Sequence, residues 1–225
     1  MESSDSVIRM AAEKKSGRYR AYLAWRAWIF VLIAAAAARA WTQSPQPTPQ
    51  AKPGELILHV DPTQSKLQWT LGSTLHTVHG TFALKRGAVQ FDPASGRASG
   101  EIIADAKSGA SGNEGRDKKM HREILESARY SEVIFRPVRI EGKVLAQGLS
   151  HVQVQGTFVL HGSEHEMNVP FDAELSGEDW KGRAKFGVPY IKWGLKSPNT
   201  FLLKADPVVE IELEMSGAIQ RTGAQ

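Results

Sequence analysis

From Glu55 onward, apolar residues recur at every second position in one segment after another. Leu67, Trp69 and Leu71 alternate with Lys66, Gln68 and Thr70, and Val152, Val154, Gly156, Phe158 and Leu160 alternate with His151, Gln153, Gln155 and Thr157. Val169, Phe171, Ala173 and Leu175 follow the same rule, as do Val209, Ile211, Leu213 and Met215, whose intervening positions are Glu210, Glu212 and Glu214. A period of two puts one set of side chains in a core and the other in water, so each segment is a strand with one apolar face. Further strands are expected at residues 78–84, 88–91, 98–105, 133–141 and 181–189. Turn-rich stretches separate them: Lys85-Arg86-Gly87, residues 92–96, and His161-Gly162-Ser163. Eight to ten strands joined by short turns form an antiparallel meander, and one apolar face per strand has to be hidden by closing the sheet or folding it on itself. The expected fold is all-β, as a barrel rather than a sandwich.

Residues 114–127 break the alternation. Met120, Ile124 and Leu125 fall at helical spacing among charged residues, which predicts one short amphipathic helix. Its apolar stripe is narrow, as suits a lid or plug across one barrel end; the alternative is a helix that binds a partner.

Six basic residues from Arg9 to Arg26 precede the apolar run 27–38, and Ala38-Arg39-Ala40 supplies a small-x-small cleavage signal. This reads as a secretory signal peptide over residues 1–40, with export of the mature protein. Twelve apolar residues span only ~18 Å as a helix, short of a ~30 Å hydrocarbon core, although a retained leader would make the protein membrane-anchored. Residues 41–54 carry Pro45, Pro47, Pro49 and Pro53 and predict an extended tether. The folded domain is expected over 55–217, with a disordered tail at 218–225.

Charge sharpens this division. Residues 1–40 hold seven Lys/Arg and three Asp/Glu, leaving 21 of each in the rest of the chain. A neutral body lacks the electrostatic footprint of a nucleic-acid binder. The chain has no cysteine, which excludes thiol nucleophiles, disulfides and Cys-based metal sites.

Candidate chemistry is sparse. His76 and His79 are three apart in a strand and point to opposite faces. His161 and His165 flank a hairpin turn and form the best metal candidate, yet turn-borne His and Glu are usually solvated. Asp117 and His121, at i and i+4, have the spacing of an acid/base pair, but an Asp at a helix start also suits the macrodipole. No Gly-x-Ser-x-Gly elbow is present. What remains is an inward-facing aromatic set, Trp69, Phe82, Phe91, Phe135, Phe158, Phe171 and Phe186, which either fills a solid core or lines a cavity. Gly80, Gly100, Gly156 and Ala173, on the same or neighbouring registers, are expected to leave space for a ligand channel.

An ordered set of motifs resembles the YceI-like proteins, periplasmic lipocalin-like barrels associated with polyisoprenoid binding. Its marks are Val60-Asp61-Pro62 with Ser65-Lys66-Leu67, then the stretch from His76 to Phe82, Phe91-Asp92-Pro93, the helix entry from Gly112 to Asp117, and the stretch from Gly156 to Gly162. Residues 186–198 depart from the Asn-Arg-x-x-Phe-Gly pattern common in that region of the family. The resemblance implies an eight-stranded antiparallel barrel whose lumen takes a long apolar chain, a size that eight strands allow. It favours a non-enzymatic carrier for an apolar lipid, polyisoprenoid or quinone tail, held by the seven aromatic residues above and needing no cofactor. Rival readings are an enzyme acting on a lipid head group through Asp117, His121 or the His161/His165 turn, and a tethered interaction module. Proximity to a membrane is expected; the oligomeric state is left open, with a homodimer among the candidates.

Overall fold

The computed structural model describes residues 54–222. The leader and all of the Pro-rich segment except Gly54 lie outside the described residues. Within them the chain forms β1 (Leu56–Val60), β2 (Lys66–Leu71), β3 (Val78–Phe91), β4 (Ala98–Ala110), a short helix α1 (Glu114–Lys119) continued by a wider π turn (Met120–Ile124), then β5 (Glu132–Glu141), β6 (Gly148–Leu160), β7 (Ser163–Ser176), β8 (Asp179–Val188) and β9 (Val209–Arg221).

All strand pairs are antiparallel, and β1 and β2 share a single position between β3 and β9. Leu58 of β1 lies opposite Val89 and Ile219, while Trp69 of β2 lies opposite Gly80 and Ile211. Pairing of β3 with β4 closes the circle, so nine strands make an eight-position barrel with no free edge.

The break between β1 and β2 follows from its sequence. Pro62 cannot donate to a ladder. Asp61 turns the chain by accepting hydrogen bonds from the backbone N–H and hydroxyl of Thr63, at 2.8 and 2.7 Å. Those same bonds hold the Asp61 carboxyl below its usual range. Opposite the break only glycine fits, because a Cβ on Gly217 would collide with the carbonyl of His59.

Three expectations are corrected. Lys85-Arg86-Gly87 is not a turn but the middle of the 14-residue strand β3. A bulge at Leu84/Arg86 leaves both charged side chains in solvent, Lys85 on Glu132 at 2.6 Å and Arg86 near Glu101 at 3.6 Å. It also switches the inward register from Leu84 to Gly87, where Val60 packs close. The helical segment ends before Ser127, because Glu126 takes a left-handed conformation at φ 45°. The domain does not stop at Gly217: β9 runs on to Arg221, and residues 217–221 pair with β1, so residues 218–221 of the expected tail are strand; residues 223–225 lie outside the described residues.

Two apolar clusters mark the barrel ends. At the base, Trp180 packs with Leu56, Phe91, Leu175, Met215 and Ile219, its indole N–H donating to the His59 carbonyl at 3.0 Å. Gly54 N–H donates to the Thr222 carbonyl at 2.8 Å, so the chain enters and leaves at this end. At the mouth, Met120, Ile124 and Leu125 pack with Trp69, Leu160, Val188, Tyr190 and Leu195, which makes the helical segment a plug over part of the opening.

Candidate functional site

The inward faces enclose a cavity of about 630 Å³ that runs from the base cluster to the mouth. Trp69, Phe82, Phe91, Phe135, Phe158, Phe171 and Phe186 all line it. Alternation carries them there, since each sits on the apolar register of its strand. Phe158 is the hub: its ring centroid is 6.4 Å from Phe135, 6.5 Å from Phe186 and 5.4 Å from Trp193.

The inward glycines do not act as expected. Rather than opening room for a ligand directly, they seat aromatic rings against the wall. A Cβ on Gly156 would stand 2.6 Å from Cζ of Phe135, and one on Gly80 would collide with the Trp69 indole. Gly109 and Phe82, and Gly182 and Phe171, are paired in the same way. With rings held at the wall, the centre stays open. Gly100 has a different cause: its φ of 108° is a conformation glycine tolerates, and a Cβ there would strike the Ala88 carbonyl. Ala173 does line the cavity.

Two polar atoms within this apolar lining lack a hydrogen-bond partner among the described residues, Nε1 of Trp69 and Oη of Tyr190. Burial raises the Tyr190 phenol above its usual range and the Asp206 carboxylate adds to this, while Ser197, outside good hydrogen-bond geometry, pulls the other way. Both atoms belong to the mouth cluster. Beyond them the lining turns polar, with Ser73, His76, Arg116 and Lys119. His76 is exposed as well as lining, so the lumen communicates with solvent there.

The other candidate residues serve the scaffold. The His161-Gly162 pair takes two positive φ values, 53° and 77°, the geometry of a tight hairpin turn. His161 packs on Tyr130 at 4.3 Å and His165 stacks on Trp193 at 4.2 Å. Among the described residues no group of three or more His, Asp or Glu is arranged to hold a metal. His121 bridges the Gly109 carbonyl at 2.8 Å and the Ser127 hydroxyl at 3.0 Å, leaving Asp117 to accept from the Ser111 backbone and hydroxyl. Partial burial opposes ionisation of Asp117, but the Ser111 hydrogen bonds and neighbouring Arg116 outweigh it and lower its pKa. The two residues thus anchor α1 to β4 instead of forming an acid/base pair.

Periodicity missed the lining residues of segment 189–206, including Tyr190, Leu195, Leu203 and Ala205, because they lie in a loop. Their one signal was the aromatic content of Tyr190-Ile191-Lys192-Trp193.

A closed eight-position barrel with an apolar, one-ended lumen defines a lipocalin-like architecture. The chain matches the YceI-like domain over residues 58–216 and belongs to that family. Among solved structures it is similar to BcnA of Burkholderia cenocepacia, at 16% identity and a TM-score of 0.58, covering 70% of this chain and 99% of that one. It is also similar to a polyisoprenoid binding domain from Saccharophagus degradans implicated in plant cell wall breakdown, at 16% identity and a TM-score of 0.53, covering 76% of this chain and 99% of that one. No curated protein matches the sequence.

Proposed function

We propose that this protein is an exported, non-catalytic carrier that holds an isoprenoid-type apolar chain in its lumen. The observation that carries this reading is the cavity of about 630 Å³ walled by aromatic and aliphatic side chains, within the volume range of small-molecule sites. Each methylene moved into it from water contributes about 0.8 kcal/mol, and an empty apolar space forfeits the dispersion contacts of its lining. The similarity to the polyisoprenoid binding domain of Saccharophagus degradans supports an isoprenoid. The leader-like sequence supports export.

Mass spectrometry of an organic extract of the purified protein tests this. A stoichiometric isoprenoid lipid is the expected result; an extract without apolar lipid, from protein that also fails to take up added isoprenoid, overturns it.

A further inference from the structure

Two loops at the mouth form one rim. Thr74 N–H donates to the Lys204 carbonyl at 2.9 Å, Lys204 N–H donates to the Thr74 hydroxyl at 3.2 Å, and Ser73 bridges to Ala205. Both loops face two ways. Ser73 and His76 from one, and Leu203 and Ala205 from the other, line the lumen. Between them Leu75, Phe201 and Leu202 point outward, 65%, 98% and 74% exposed. Large apolar side chains gathered in this way at an opening mark an interaction surface.

The charge around the rim says what kind. Residues 189–205 contain Lys192, Lys196 and Lys204, all exposed, and no Asp or Glu. Of the acids nearby, Glu123 is paired with Arg122 and also faces Lys119 and Lys196, and Asp206, itself exposed, lies against Gly72. Exposed apolar tips flanked by lysines suit the interface of an anionic bilayer, where headgroups meet the cations and the acyl boundary takes the apolar groups.

We infer that the rim formed by Leu75, Phe201 and Leu202, with Lys192, Lys196 and Lys204, docks the barrel mouth on an anionic lipid bilayer, the source from which the lumen is loaded. The inference rests on the carrier reading, since a water-insoluble chain reaches a lumen most directly from a membrane beneath its mouth.

The chain has no cysteine, so Phe201→Cys in the full-length protein accepts a single environment-sensitive fluorophore. Val138→Cys is the control: Val138 is 55% exposed on β5, whose Ile140 packs at the base. Vesicles of phosphatidylglycerol should raise and blue-shift the emission at 201 several-fold and leave 138 unchanged, and phosphatidylcholine vesicles should act weakly. Each lysine near an anionic surface is worth about fivefold in partitioning, so K192Q/K196Q/K204Q should move the titration to at least tenfold more lipid. An unresponsive label at 201, or equal responses at 201 and 138, overturns the docking surface. A response that needs only more protein and no vesicles overturns it as well, in favour of self-association. Extraction of the same samples separates the two readings: a carrier loaded with lipid but inert at 201 loses the docking proposal alone, whereas insertion at 201 by protein that never holds an apolar lipid sinks the carrier reading alone.

Discussion

The ring of Phe171 packs onto Gly182 of the neighbouring strand, so closely that a Cβ at 182 would stand 2.5 Å from its Cε1. Gly182→Ala therefore pushes the ring off the wall and into the lumen. The variant should fold with a loss of about 1–3 kcal/mol, the usual range for overpacking, and should hold less lipid than the parent. Urea unfolding and extraction with mass spectrometry check the two halves; unchanged lipid content would mean that Phe171 does not bound the ligand.

Phe158 meets three other aromatic rings, and Thr157 occupies the opposite face of β6, paired with Arg136 and Glu166. Phe158→Trp narrows the lumen without adding charge and should lower bound lipid while the far-ultraviolet circular dichroism stays the same. Thr157→Asp, one step along the strand and facing away, should change stability by no more than about 0.5 kcal/mol and leave lipid content alone. The reverse pattern would place the ligand outside the barrel.

The Tyr190 hydroxyl is buried without a hydrogen-bond partner among the described residues. Removing an unsatisfied buried polar atom relieves a desolvation penalty of about 1–3 kcal/mol. Tyr190→Phe should therefore keep or raise the melting temperature of the delipidated protein. Thermal melting of parent and variant measures this, and a variant that melts several degrees lower would show that the hydroxyl is satisfied, with Ser197 as its partner.

Asp117 anchors the start of α1 with a lowered pKa. Its folded value is below the unfolded one, so its contribution is complete above the unfolded value of about 3.9 and fades as pH falls through the folded value. The melting temperatures of the parent and Asp117→Asn should differ at neutral pH and converge below about pH 4. A gap that persists in acid would show that Asp117 acts by packing instead of charge.

The strands were readable because one buried face imposes a period of two, and that period also named seven of the aromatics that line the lumen, though not Trp180 or Tyr190. Two kinds of feature resisted it. The bulge at Leu84/Arg86 sets two charges side by side, and in one dimension that resembles a turn; only the cross-strand partners Glu132 and Glu101 show otherwise. The role of the inward glycines depends on which ring crosses from the next strand, as Phe135 does over Gly156, and a single sequence does not carry that pairing. The mouth was least legible, since Tyr190, Leu203 and Phe201 lie in loops without period.

The hydrogen bond between Gly54 and Thr222 gives the barrel a handle. Whatever precedes residue 54 or follows residue 222 is joined at the base, the end away from Phe201 and the helical plug. A fusion partner or a surface attached through either side would hold the molecule like a cup by its foot, with the opening clear. The short gap between these two residues also makes this the natural seam for a circular permutant, in which new termini cut into the rim would sever the mouth loops and leave the eight staves intact.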